Sequence, residues 1–249
     1  MGIPVGRVLD KLDAYFERKD FDAAERHLQY WLAEAEAVGD RQGMLTVLNE
    51  QIGFYRKMQN ESETMKACDC ALQTAEDLDL AGTVSMATTL INAATAYKAF
   101  GRAAEALPLY EEAKKIYEAR LEPSDGRRGG LYNNMALALA DLGRYREAEA
   151  SYEKALAVMV QVPGGELEMA VSRCNMADLA AMELGTDRGR EKILHCLEQA
   201  WELLNSEKIS RDGYYAFVCE KCAPVFGWCD QHHREEELMR RADAIYRNL

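Results

Sequence analysis

Between residues 93 and 160 apolar and small side chains return every three or four positions, the spacing of one face of an α-helix. The whole arrangement then recurs. AATAYKAFGRAAEALPLYEEAKKIYE (93–118) and MALALADLGRYREAEASYEKALAVMV (135–160) align with Gly101 and Gly143 42 residues apart. At the same offset lie Ala94 and Ala136, Ala106 and Ala148, Tyr110 and Tyr152, and Ala113 and Ala155. Each copy predicts a helix that ends at glycine, a residue that accepts the left-handed backbone of a helix C-terminus. A short turn and a second amphipathic helix follow. The paired alanines let the two antiparallel helices approach closely, and the recurring tyrosine and alanine further along fill the seam to the next unit.

Fainter copies flank this pair. Upstream, Tyr55 precedes Tyr97 by 42 residues and Ala71 precedes Ala113 by the same number, while Tyr15 stands 40 residues before Tyr55. Downstream, NMADLAAMELGTDRGREKILHCLEQAWELL (175–204) aligns if its turn carries a few extra residues around Thr186–Gly189, and 214–249 forms a last unit. The pattern therefore predicts six helical hairpins, over residues 5–40, 41–80, 83–122, 127–162, 166–207 and 213–249, in one domain spanning the chain. Stretches of turn-forming residues separate them.

The series Ala94–Tyr97–Gly101–Ala106–Tyr110–Ala113 and its copy Ala136–Leu139–Gly143–Tyr145–Ala148–Tyr152–Ala155 resemble the tetratricopeptide repeat. The usual period of that repeat is about 34 residues. The longer period here, with Asn-Asn-hydrophobic-Ala opening the first helix and Gly-Arg-Tyr-x-Glu-Ala at the turn, is similar to the kinesin-light-chain subtype. The resemblance implies an all-α fold, a right-handed α-solenoid (superhelix) of about six antiparallel hairpins. Its first helices would line a concave face and its second helices a convex one.

That geometry gives the chain's asparagines a place. Asn92, Asn134 and Asn175 are spaced 42 and 41 residues apart on successive first helices, with Asn49 and Asn133 one step around their own helices. Side-chain amides both donate and accept hydrogen bonds, so such a row can hold the backbone of an extended peptide, as the resembling asparagines do in peptide-binding members of the family. The alternative is that the amides satisfy one another as part of the framework. Thr95, Leu137 and Asp178 lie one helical turn beyond the three asparagines, and Arg56, Lys57 and Lys98 lie near the ends of their helices. The expected partner is a protein or extended peptide; these cations would suit a carboxylate and so an acidic one, the alternative being that they form a solvated face.

Composition narrows the function further. A net charge of −12 argues against nucleic acid or an anionic membrane as partner, and no apolar run approaches the length of a membrane span. The first residues lack a signal-peptide core, and seven cysteines within helical patterns read as reduced thiols, so the expected location is the cytoplasm. Cys219, Cys222, Cys229 and His232 could be spaced as a zinc set, with His233 alongside, but the first two coincide with core positions of the repeat. Four histidines and no nucleophile or phosphate-loop motif give catalysis little support. The expectation is a non-catalytic binding scaffold without cofactor or metal. Its rivals are a regulatory or assembly scaffold that binds through its convex face or ends, and a peptide or small-molecule sensor. Leu238, Ala242, Ile245 and Tyr246 stripe the final helix, which either packs on its own hairpin or closes a homodimer through the terminal hairpin.

Overall fold

A computed structural model describes residues 2–247. It contains twelve α-helices and, among the described residues, no strand. They run α1 (Val5–Glu17), α2 (Phe21–Ala37), α3 (Arg41–Lys57), α4 (Glu61–Asp77), α5 (Val84–Ala99), α6 (Ala103–Arg120), α7 (Gly126–Asp141), α8 (Tyr145–Met159), α9 (Glu166–Leu184), α10 (Thr186–Leu204), α11 (Gly213–Trp228) and α12 (His232–Tyr246). Consecutive helices pair into six antiparallel hairpins, the architecture of an all-α solenoid. The chain divides between Arg120 and Leu121 into two compact units of three hairpins each. The last two residues of the terminal hairpin expected at 213–249 lie outside the described residues.

The turn inside each hairpin is built one way. A single residue takes a positive φ at Lys19, Gln59, Gly101, Gly143, Gly185 and Asp230. In five of the six turns the next residue's N–H reaches back to the carbonyl five positions earlier. Those bonds are Asp20 to Tyr15, Asn60 to Tyr55, Arg102 to Tyr97, Arg144 to Leu139 and Gln231 to Phe226, at 2.9–3.0 Å. This is the Schellman closure, which satisfies carbonyls that the helix end would leave unpaired. The following helix starts on a built cap in the first two hairpins, where the Asp20 and Asn60 side chains accept from Ala23 and Glu63 N–H. In the third and fourth, Arg102 and Arg144 instead clasp Glu105 and Glu147.

The fifth hairpin departs from the expected insertion near Thr186–Gly189. Gly185 ends α9 and α10 begins at the next residue, so this turn is one residue shorter than that at Gly143–Arg144. The buried positions of α10 accordingly trail those of α8 by 41 residues, with Ile193 for Tyr152 and Cys196 for Ala155. Gly189 stands where Ala148 stands in the preceding hairpin, and a Cβ there would come within 3.0 Å of the Ala180 carbonyl.

Packing follows the repeat. Ala94, Ala106, Ala113, Ala136 and Ala148 are fully buried, Ala155 nearly so, and Tyr110 and Tyr152 fill the seams at 1% exposure. Interiors this close-packed leave no room where the alanines sit. The stripe on α12 packs within its own unit, with Leu238 and Ala242 buried, while Tyr246 stays exposed and donates to Glu220. Arg241 and Arg234 lie over the Trp201 ring, and Arg241 donates to Asn205 and to the Tyr215 hydroxyl. Among the described residues no helix is long and apolar enough to cross a membrane.

The shared turn predicts unequal costs for one chemical change. A left-handed backbone costs a non-glycine residue about 1–2 kcal/mol. Gly143→Ala is therefore expected to destabilise its unit by about that amount. Gln59→Gly should be neutral or stabilising by up to about 1 kcal/mol, because glycine's greater loss of chain entropy offsets part of the relief. Urea unfolding of the two variants checks both signs.

Candidate functional site: the faces of the first helices

Within each unit the first helices of consecutive hairpins touch one another, α3 with α5 and α7 with α9 with α11. The second helices α2, α4 and α8 pack instead on first helices, their own and the next. In a curved stack the layer whose members lie closer together is the inner one. The first helices thus form the inner face of each unit, as the repeat implies.

The asparagines meet across these helix pairs. In the N-terminal unit Asn92 on α5 donates to the Asn49 carbonyl on α3 (2.8 Å), and Asn49 donates to its own-helix Leu45 carbonyl and to the Thr89 hydroxyl (2.8 and 3.2 Å). In the C-terminal unit Asn175 on α9 donates to the Asn133 carbonyl on α7 (3.1 Å), which also accepts from the Ser172 hydroxyl (3.1 Å). Both units therefore carry the same clasp. An asparagine on one first helix is gripped by a Thr/Ser-x-x-Asn pair on the next, with Thr89 and Ser172 buried.

The structure alters the register of the row. Asn133, not Asn134, is the partner of Asn175, and among the described residues the Asn134 amide has no hydrogen bond. Counted from the turns, the asparagines fall into two sets. Asn49, Asn133 and Asn175 each stand ten residues before their hairpin's positive-φ residue, whereas Asn92 and Asn134 stand nine before theirs. Spacing measured from asparagine to asparagine hides this shift of one residue, which turns a helical side chain by about 100°. The clasps leave the Asn92 and Asn175 carbonyl oxygens and one N–H of each without a protein partner among the described residues.

The other expected residues fall into two groups. Thr95 shares a hydrogen bond with the hydroxyl of buried Tyr110 (2.9 Å), and Arg56 lies close enough to act on that phenol, whose pKa burial pushes up to about 12. Lys57 lies over the rings of Phe16 and Phe21, 5.0 and 5.4 Å from their centroids, at the turn of the first hairpin. Lys98 is half-buried. Glu50, on the same face, is held above the usual carboxylate range by burial and by Asp13. The N-terminal unit thus presents a mixture of charges, and Lys57 is engaged with aromatic rings of its own unit.

In the C-terminal unit a cleft of about 470 Å³ opens on the inner face, lined by Leu137, Asp141, Tyr152, Asn175, Asp178 and Trp228, among others. Asp178 accepts a hydrogen bond from the Trp228 indole N–H (3.0 Å); burial raises its pKa and this bond opposes the rise. On α11 the exposed rings of Tyr214 and Phe217 stack, and the Tyr214 hydroxyl donates to Glu168. Glu168 is raised by burial, with Lys221 opposing. Sequence reasoning passed over Ser172, Tyr214, Phe217 and Trp228. The Thr/Ser-x-x-Asn spacing at 89–92 and 172–175 was a signal for the clasp. The aromatic residues of α11 give no such signal until that helix is placed beside α9.

The cysteine–histidine set of the last hairpin does not assemble. Cys219 and Cys222 are buried, Cys222 shares a hydrogen bond with buried Cys174, and His232 faces Glu235 (3.4 Å). Among the described residues no three His, Cys, Asp or Glu side chains gather as a metal site, and all seven cysteines are free thiols.

These features match known proteins. The family model described as tetratricopeptide repeat matches residues 128–185, and a second of the same description matches 86–125. Among solved structures, nearly identical kinesin-light-chain TPR-like repeats from Podosopora anserina align at TM-score 0.58 and 18% identity, over 81% of this chain and 94% of that one. BtubC (BKLC) from P. vanneervenii aligns at 0.52 and 17%, over 98% and 91%. A Rap protein complexed with Competence and Sporulation Factor aligns at 0.52 and 14%, over 96% and 73%. No curated protein sequence matches. Residues 86–125 and 128–185 thus match tetratricopeptide repeats, and the fold is the one that these solved repeat structures share.

The clasp separates two adjacent asparagines by role. Asn133→Ala leaves the Asn175 and Ser172 donors without their acceptor and is expected to cost about 1–3 kcal/mol. Asn134→Ala should be neutral or slightly stabilising, since alanine is the better helix former by about 0.7 kcal/mol. Thermal or urea unfolding of the pair of variants measures the difference.

Proposed function

We propose that the chain binds an extended segment of another protein along the inner faces of its first helices, without catalysis. The observation that carries this reading is the unfinished clasp. Asn92 and Asn175 spend one N–H on a neighbouring first helix and keep a carbonyl oxygen and a second N–H for something else. A peptide backbone offers the complementary donor and acceptor, whatever its side chains. The amides are thus both framework and contact surface, and the two roles use different atoms. The Rap protein of similar fold, complexed with Competence and Sporulation Factor, supports binding by this architecture. The cleft beside Asn175 supplies a place for side-chain selection in the C-terminal unit.

Met182, half exposed on α9 and lining that cleft, offers a position for the test. With benzoylphenylalanine at Met182, or at exposed Glu153 on α8, photo-crosslinking in native extract should give partner adducts from 182. Asn175→Ala should lower their yield roughly two- to tenfold, as loss of about one neutral hydrogen bond would. Adducts from 153 and not from 182 would place the interface on the second helices instead.

A further inference from the structure

At the cleft of the C-terminal unit one repeat substitution changes the polar surroundings of its tyrosine. Tyr110 and Tyr152 are counterparts, each 1% exposed. The Tyr110 hydroxyl shares a hydrogen bond with Thr95. The counterpart of Thr95, 42 residues on, is Leu137, which offers no polar atom. The Tyr152 hydroxyl is left without a hydrogen-bond partner among the described residues, and it lines the cleft. A ligand entering the cleft can supply the hydrogen bond that Thr95 supplies to Tyr110.

The groups around that hydroxyl are of one chemical kind. Asp141 and Asp178 line the same cleft, and both carboxylates act on the Tyr152 phenol to disfavour its ionisation, beyond the larger effect of burial. Asn175 brings its unoccupied carbonyl oxygen. No Lys, Arg or His is among the described residues that line the cleft. One wall is the indole of Trp228, 42% exposed, with its N–H turned to Asp178. The Asp178 carboxylate, an amide oxygen and a phenol oxygen offer acceptors, and the ring face favours a cation.

We infer that this cleft takes a positively charged side chain of the bound segment, arginine above lysine, with the guanidinium set against Trp228 and hydrogen-bonded among Asp178, the Asn175 carbonyl and the Tyr152 oxygen, while Asp141 adds negative charge to the same wall. Arginine carries five donors and no acceptor in a planar fork, which matches a site of converging acceptors beside an aromatic face. Burial lifts Asp178 above the usual carboxylate range with only the Trp228 N–H opposing, so an arriving cation would find a carboxylate short of compensation. This preference deepens the peptide-binding reading and rests on it. It also separates the units, because the carboxylate-seeking cations expected from sequence, Arg56, Lys57 and Lys98, all belong to the N-terminal one.

The test uses the full chain and immobilised degenerate peptides with random flanks and one fixed central residue, Arg, Lys, Glu or Leu. Wild type should retain the Arg pool about tenfold over the Glu pool, with Lys between. Asp178→Asn keeps an acceptor for the Trp228 N–H and removes the charge; it should bring Arg-pool retention down to that of the Leu pool. Asp141→Asn, at an exposed position, should reduce the preference in the same direction and serves if the first variant folds poorly. Equal retention of Arg and Glu pools, or an Arg preference that both substitutions leave intact, overturns the cationic pocket. If retention ignores charge yet falls with Asn175→Ala, the groove stands and only the pocket fails. If no pool is retained, both fail.

Discussion

Every hairpin of this protein reverses on a single residue held in the left-handed region of backbone space, and the rest of the structure is phased from that residue. In five of the six turns the residue after it closes a bond to the carbonyl five back, which fixes where the first helix ends and at what angle the second departs. Three of these residues are glycines and three are not. The lysine, glutamine and aspartate turns show that the surrounding helices impose the conformation even where the side chain disfavours it.

That phase turns a row of asparagines into two clasps. An amide on one first helix is gripped by a hydroxyl and an amide spaced three residues apart on the next, one helical turn of separation. The bond lies between hairpins, so it couples adjacent repeats in an array whose stability comes from nearest-neighbour interfaces. An asparagine has more hydrogen-bonding capacity than the clasp consumes, so a structural role leaves other atoms of the same side chain available.

The two units share this framework and differ in what surrounds it. In the N-terminal unit Thr95 occupies the phenol of Tyr110, and Lys57 is drawn onto the aromatic rings of the first hairpin. In the C-terminal unit leucine replaces that threonine, an exposed tryptophan enters from α11, and half-buried carboxylates sit on the same face. The repeated positions keep the fold, and a few unlike residues at equivalent places give each unit its own surface chemistry.

The amino-acid sequence by itself determined the fold. The 42-residue recurrence of Gly, Ala and Tyr is a local pattern of backbone and packing requirements, and the helices, their pairing and the buried alanines all follow from it. It also placed the asparagines on the correct helices, since helix membership needs no more than periodicity. It did not determine which of Asn133 and Asn134 meets Asn175, nor that the fifth turn is shorter, not longer, than its neighbours. Those depend on a shift of one residue, which leaves periodicity intact but rotates a side chain by more than a quarter turn. The pocket depended on tertiary structure most of all. Thr95 touches Tyr110 across a hairpin, and Asp178 touches Trp228 fifty residues away. The meaning of leucine at 137 and of tryptophan at 228 therefore lies in contacts between helices, which one chain's pattern of hydrophobic and polar positions does not contain.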